Sequence, residues 1–463
     1  MSILPTPVHI NNWEELISYF AYLANPKKHS QHTQDDPVFI GGTMTPDIAI
    51  AKQTKFLELI GNPQLSIKMI HIAGTNGKGS TTKILTENLI SQGFKVGSSF
   101  SPHLIDINDR IQINSHPISQ NLFLSYTNKI LPAIAIMREN NMHPSYFEVL
   151  TALQFLVFAD QKVDYAVMEV GMGGRLDATN VFVPNKICVL NTIGLDHTLW
   201  LGDTLELIAV EKAGIIQSNN LVIAISQFDG VNTVFDHKAQ LENADIDWVI
   251  PDLDFYGVSQ YQGKVYFDYM DNEVNEQQIV IGMLGKYQAS NGSLALRTLE
   301  TIADRDGWEI DWELLKIGLI TTRFRGRFDV YDQNNRTIVF DSAHNQDKMN
   351  SFMNSFTQYY SGKFDFLIAF KSGKNYTAML DEIMKCKDCI NQIILTEFIV
   401  SQDSKIIAQD IDIIASYLDT QKFSNYIKIK NHQEAWQYVS NSSQNTVVTG
   451  SMYLVGSIYK IFK

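Results

Sequence analysis

The chain has 463 residues, of which 45% are hydrophobic and 19% charged, with a formal net charge of -13. That length exceeds one compact domain; the apolar share allows a sizeable core, and the charged share is too low for a disordered chain. The acidic balance excludes non-specific nucleic-acid binding, which needs Lys and Arg to neutralise phosphates, but a few local cations suffice for a small anionic ligand.

Asn11 to Leu23 reads as an amphipathic helix, residues 25–45 as a polar loop, and Lys52 to Ile60 as a helix stopped by Gly61-Asn62-Pro63. Ile67 to Ala73 is a buried strand, and Thr81 to Gln92 a helix with Ile84, Leu85, Leu89 and Ile90 on one face. Lys95 to Ser99 is a strand, Glu148 to Ala159 a strongly apolar helix, and Asp164 to Val170 a strand. Lys186 to Asn191 is the next strand and Thr204 to Ala213 the next helix. Strands alternating with helices define an α/β chain with a mainly parallel, doubly wound sheet. Short alternating runs over 245–283 predict an antiparallel patch, followed by a helix from Tyr287 to Ala303. Alternation restarts with strand Thr337–Phe340, helix Lys348–Tyr359 and strand Phe364–Ala369, and Asn391–Leu395 and Thr446–Val448 read as further strands. A boundary near 322–327 therefore divides a domain over 1–325 from a smaller Rossmann-like α/β domain over 326–463.

Cys188, Cys386 and Cys389 do not make a disulfide framework, and Cys386-Lys387-Asp388-Cys389 is half a zinc site with no second half. They read as thiols of a reducing compartment, the last two on a surface helix. Met1 to Glu14 lacks the basic-then-apolar pattern of a secretory signal, and no apolar run approaches the roughly 18 residues of a membrane span. The expectation is a soluble, cytoplasmic protein.

The most informative run is Gly74-Thr75-Asn76-Gly77-Lys78-Gly79-Ser80. Strand, glycine loop and helix form the context of a phosphate-binding loop. Glycines let backbone N–H groups curl around an anion at the positive end of the helix dipole. Lys78 adds a mobile cation, and a hydroxyl from Ser80 or Thr81 can reach magnesium. An ordinary glycine turn would leave Lys78 unexplained. In doubly wound sheets ligands bind beyond the carboxyl ends of strands. Ser101, Glu169 and His197 all follow such ends and make a plausible magnesium shell, because that ion takes hard oxygens and keeps waters. Taken singly, Glu169 could cap the glycine turn and His197 could be a structural hydrogen-bonding residue.

From about residue 55 onward the sequence resembles the folylpolyglutamate synthase and dihydrofolate synthase family of Mur-type amide ligases. The resemblance is carried by Gly74–Ser80, Ser101–Leu104, Glu169–Asn180, Gly194–Thr198 and Glu211–Ile215, and later by Gln288 with Asn291, Gly326–Phe328, Asp341–Asn345 and Gly450–Gly456. It implies that Gly77, Lys78, Gly79 and Ser80 hold the ATP phosphates, and that Ser101, Glu169 and His197 bind magnesium, directly or through water. Lys212 matches a lysine that is carbamylated in the superfamily and helps hold a second ion; a salt bridge or phosphate contact is the plainer alternative. Asn291, Arg327 and Asp341 would contact nucleotide across the interdomain cleft. His344 and Ser451 fall where the family binds glutamate or positions the acyl phosphate. Leu176, Asp177 and Ala178, with Ser145, Tyr146, Phe147 and Glu148, match the segments that meet pterin or folate, although Glu148 could serve only as a helix-start carboxylate.

The implied activity is ATP-dependent addition of L-glutamate to a reduced folate or dihydropteroate, with Lys78, Lys212 and His344 as catalytic residues and a monomer as the acting species. Departures from the family are Tyr287 for a histidine, Phe324-Arg325 for Trp-Pro, Ser342 and Gln346 for glycine and proline, and Lys374 without acidic neighbours. Rival readings are a cell-wall Mur ligase acting on a UDP-linked precursor, an inactive nucleotide-binding regulator, and a simple ATPase or kinase. The first would carry a UDP-binding domain before the phosphate loop, yet only 73 residues precede Gly74.

Overall fold

A computed structural model describes residues 6–24, 46–333, 335–401 and 405–462. The polar run 25–45 lies outside the described residues.

The larger sheet contains β1 (Met69–Ala73), β2 (Val96–Ser99), β3 (Gln112–Ile113), β4 (His116–Pro117), β5 (Tyr165–Glu169), β6 (Ile187–Leu190), β7 (Leu221–Ile225) and β8 (Asp245–Val249), in the order β4-β3-β2-β5-β1-β6-β7-β8. From β2 to β8 every pairing is parallel; only β3 and β4 run antiparallel, as an edge hairpin. All five residues of β1 are buried, as expected for a strand covered by helices on both faces. From β1 the chain crosses to β2 on one side, and later to β6 on the other. The carboxyl end of β1 is thus a topological switch point.

A three-stranded antiparallel sheet, β9 (Phe255–Tyr261), β10 (Lys264–Met270) and β11 (Glu276–Ile281), follows. The sequence pattern put 245–249 in that patch, but β8 pairs parallel with β7. As an edge strand β8 is only half covered, so its outer positions are polar and mimic antiparallel alternation.

The smaller sheet has β12 (Asp329–Gln333), β13 (Arg336–Phe340), β14 (Phe364–Ile368), β15 (Ile390–Glu397), β18 (Tyr426–Asn431) and β19 (Thr446–Thr449), in the order β12-β13-β19-β14-β15-β18. Between β15 and β18, β16 (Ile399–Ser401) and β17 (Lys405–Ile407) form a separate two-stranded ribbon. Only the β12–β13 pairing of the six-stranded sheet is antiparallel.

The helix after the glycine loop runs from Lys78 to Ser91, one turn earlier than its apolar pattern indicates. It is buried nearly all round, because helices Gln288–Asp306 and Trp312–Thr321 cover the side away from the sheet. The 20-residue helix Gln120–Glu139, absent from the sequence reading, packs on Tyr146–Asp160 and contributes Phe123, Ile130 and Ile134 to the core. Cys386 and Cys389 sit on a short 3-10 turn and are half-buried, not on a surface helix. Among the described residues no helix is long and apolar enough to cross a membrane.

Candidate active site

Residues 74–77 leave the end of β1 as a loop pinned to the segment after β6. The N–H groups of Thr75 and Asn76 donate to Thr192 O at 2.9 and 3.1 Å, and Thr75 Oγ1 donates to Gly194 O at 3.0 Å. Gly77 has φ +79°, and a Cβ there would lie 2.2 Å from Asn291 Oδ1 and 2.5 Å from Asn191 Nδ2. Only glycine combines that backbone with so close an approach. Behind it, Asn191 Nδ2 donates to Thr81 Oγ1 (2.8 Å) and Asn291 Oδ1 (3.1 Å), while Asn291 Nδ2 donates to Gln288 Oε1 (2.9 Å). Lys78 folds back so that Nζ donates to Gly74 O at 2.8 Å.

Glu169, at the end of β5, is buried, and its Oε2 accepts the Ser101 N–H at 3.0 Å. Burial raises its carboxyl above the usual range, against the pull of Lys78, the Ser101 N–H and Arg327. His197 has φ +52° and is about half exposed. Partial burial of its ring lowers its pKa to about 4 despite Asp196, with Lys374, Lys78 and Lys212 adding to the effect. It is therefore a neutral imidazole near pH 7, with a lone pair to offer.

Lys212 ends the helix Leu205–Ala213 and is buried without a carboxylate within ion-pair distance among the described residues. Burial first, then Lys78 and Lys348, bring its ammonium down to about 7. Its placement follows from two motifs that interlock. Arg175 donates to Glu211 Oε1 through Nε (3.0 Å) and Nη2 (2.6 Å), and its N–H donates to Glu211 O (2.8 Å). A Cβ on Gly174 would sit 2.7 Å from Glu211 O and 3.0 Å from Lys212 Cα, so the glycine lets the loop lie directly on the helix end.

The smaller sheet supplies the facing wall. Asp341, following β13, accepts the N–H groups of Phe328 (2.9 Å) and Ala343 (2.8 Å), and burial pushes its carboxyl up to about 6 despite Arg327. Arg327 lies over the Phe324 ring at 5.8 Å, and Phe324 packs beside Gly79. His344 Nδ1 donates to Ser342 O at 2.8 Å, and its Nε2 lies 3.1 Å from Lys348 Nζ. Asp196, from the loop after β6, meets Lys374 Nζ at 2.5 Å and accepts from Asn345 Nδ2 at 3.2 Å. Burial works against its charge, but Lys374, His197 and Lys348 hold its carboxyl far below the usual range.

One cavity of about 270 Å³ brings together Gly77, Lys78, Gly79, Ser80, Ser101, Glu169, His197, Lys212, Asn291, Arg327, Asp341 and His344. The remaining expected residues lie off its wall. Ser145 and Glu148 form a capping box, and Glu148 pairs with Lys52 at 2.9 Å. Tyr146 is buried against Phe20, while Phe147 lies against the backbone of Gly171. Asp177 stitches its own loop through the N–H groups of Met172 and Thr179, both at 3.0 Å. Ala178 beside it is buried, whereas Leu176 is over a third exposed. Ser451 caps the helix Met452–Tyr459 through the Tyr453 N–H. Sequence reasoning missed Asp196 and Lys348 as wall residues; the available signal for Lys348 was its position one helical turn beyond His344.

A phosphate loop, a buried carboxylate and a second α/β unit closing over both define a Mur-type ATP-dependent ligase. Residues 72–299 match the Mur ligase middle domain, and residues 326–461 match the dihydrofolate synthetase C-terminal domain. The chain belongs to the dihydrofolate synthase/folylpolyglutamate synthase family of acid–amino-acid ligases. It is 31% identical to dihydrofolate synthetase of Saccharomyces cerevisiae, over 90% of this chain and 98% of that one. It is 28% identical to dihydrofolate synthase/folylpolyglutamate synthase of Bacillus subtilis, over 89% and 95%. Folylpolyglutamate synthase of Mycobacterium tuberculosis, solved with ADP and AMPPCP, superposes with a TM-score of 0.79 at 25% identity, covering 89% of this chain and 95% of that one.

Proposed function

We propose that this protein joins L-glutamate to the carboxylate of dihydropteroate, of a reduced folate, or of both, using ATP. The observation that carries the reading is the shared cavity: Lys78 and Glu169 from the larger sheet face Arg327, Asp341 and His344 from the smaller one. The names of the yeast and Bacillus relatives, and the nucleotides bound to the mycobacterial structure, support it.

In this reading residues 1–325 bind ATP and the pterin substrate, and residues 326–463 bring glutamate. Backbone N–H groups of Gly77 to Ser80 hold the phosphates, and Lys78 offsets charge on the transferring group. Arg327 and Asp341 contact the nucleotide. Asn291, which also lines the cavity, contacts it from beneath the loop while its amide bonds Asn191 and Gln288. An oxygen of the substrate carboxylate attacks the γ-phosphorus, and the bond to the β–γ bridging oxygen breaks, its electron pair leaving with ADP. The glutamate amine then attacks the acyl carbon, the carbon–oxygen bond to phosphate breaks, and the amine's proton passes to solvent. His344 and Ser451 position that amine or the acyl phosphate. Ser145–Glu148 and Leu176–Ala178 shape the approach of the pterin substrate.

Magnesium fits the donors present. Glu169 and Ser101 offer oxygens, and His197 in its neutral form can accept from a metal-held water. Lys212, with no carboxylate within ion-pair distance among the described residues, becomes an oxygen donor if carbamylated. When bound, the ion would neutralise charge on the phosphates. We place the enzyme in the cytoplasm as a monomer.

The test is mass analysis of products after incubation with ATP, magnesium and glutamate, with dihydropteroate in one arm and tetrahydrofolate in the other. A product heavier by one glutamyl residue in either arm is expected. ADP formation indifferent to glutamate would instead mark a plain ATPase.

A further inference from the structure

Lys348 stands in the first turn of the helix Gln346–Tyr359 and lines the active-site cavity. The Ser342 carbonyl can only accept, so His344 Nδ1 carries its proton and Nε2 presents a lone pair to Lys348 Nζ, 3.1 Å away. The partner of this ammonium is therefore neutral. No carboxylate lies within ion-pair distance of Lys348 among the described residues. The charges that act on it most are Lys78 and Arg327, both positive, then Asp196, which is already paired with Lys374, and Lys374 itself. Burial and these cations bring the Lys348 ammonium down to about 7, and an anion bound beside it would favour the charged form.

Two further cations constrain where an anion would bind. Lys78 and Arg327 line the same cavity, one from the phosphate loop and one from the facing wall. Lys348 reaches the cavity from the smaller sheet's side, beyond His344. We infer that Lys348, oriented by His344, binds the transferred phosphoryl group, first as part of the acyl phosphate and then as inorganic phosphate. Lys78 would hold that group on the ATP side and Lys348 on the side where glutamate arrives. The inference rests on the ligase reading for its acyl phosphate, but binding of free phosphate can be measured without turnover.

The experiment titrates inorganic phosphate into the complex of the full-length protein with ADP and magnesium, by calorimetry, for wild type, Lys348→Met and Lys348→Arg. A hydrogen bond to a charged group of about 1.5–3 kcal/mol corresponds to a loss of about tenfold to hundredfold in phosphate affinity for Lys348→Met. ADP affinity should stay within about threefold, and Lys348→Arg should recover part of the loss. In the ligation assay kcat should fall about a hundredfold, with KM for glutamate little changed. Phosphate affinity of Lys348→Met equal to wild type would overturn the inference. So would a raised KM for glutamate alone, which would give the lysine to the amino-acid carboxylate. ADP binding that falls as far as phosphate binding would also overturn it, as the mark of a general structural role. Wild-type phosphate binding through Lys348 without any glutamate ligation would sink the ligase reading and leave the phosphate site standing.

Discussion

Asp196 and Lys374 are 178 residues apart, yet their side chains meet at 2.5 Å, joining the loop after β6 to the loop after β14. Asn345, beside His344, donates to the other oxygen of the same carboxylate. The pair is mostly shielded, with side-chain exposures of 10% and 22%. A shielded pair loses more when one partner is removed than an open surface pair does. It acts as a clasp that holds the smaller sheet's wall over the phosphate loop.

Asp196→Asn keeps the shape and removes the charge. Glutamate-dependent turnover should fall by about tenfold to hundredfold, while ADP affinity changes little. Steady-state kinetics with a parallel ADP titration checks this. Equal losses in both would place Asp196 in nucleotide binding instead.

Lys78→Ala removes the cation nearest the phosphate loop. Two unit charges 4 Å apart interact by about 4 kcal/mol at an effective dielectric of about 20. The variant should fold, with a melting temperature near that of wild type, and lose turnover by about a hundredfold or more. A near-native rate would remove the phosphate-loop assignment.

Gly77→Ala tests the loop's geometry. A methyl group there must share space with the Asn291 and Asn191 amides in a backbone conformation that L-residues avoid. Strain of about 1–3 kcal/mol translates to about a tenfold to hundredfold loss of ADP affinity. Equilibrium titration with ADP reads this directly.

Much of this site was legible in the sequence because its signals are local. A strand, a glycine loop, a lysine and a helix occupy one short stretch, and Glu169 ends its own strand. The clasp was not legible, since nothing near Asp196 in sequence points to Lys374. Lys348 was hidden for a related reason: a lysine on a helix usually faces solvent, and only the packing of the smaller sheet against the loop turns it inward. Asn291, marked by its motif, lines the cavity and also braces Gly77 from behind. The helix Gln120–Glu139 was missed because Pro132 interrupts its pattern, and β8 because an edge strand alternates like an antiparallel one.

Carbamylation of Lys212 requires the free amine, because the ammonium has no lone pair to attack CO2. Burial and the neighbouring lysines set the midpoint at about 7, so the reactive form is minor below that pH and dominant above it. In bicarbonate-depleted buffer activity should be depressed, and added bicarbonate should restore it increasingly well from about pH 6 to about pH 8. Activity indifferent to bicarbonate at every pH would favour a plain phosphate contact by Lys212.

In the proposed ligation a substrate carboxylate takes the γ-phosphoryl group inside this cleft before glutamate attacks. The most direct measurement uses dihydropteroate or tetrahydrofolate labelled with heavy oxygen in the acceptor carboxylate, followed by mass analysis of the released phosphate. An acyl phosphate transfers one labelled oxygen to each phosphate formed. Phosphate with no label would mean that water or another nucleophile accepts the phosphoryl group, and would rule out the acyl phosphate.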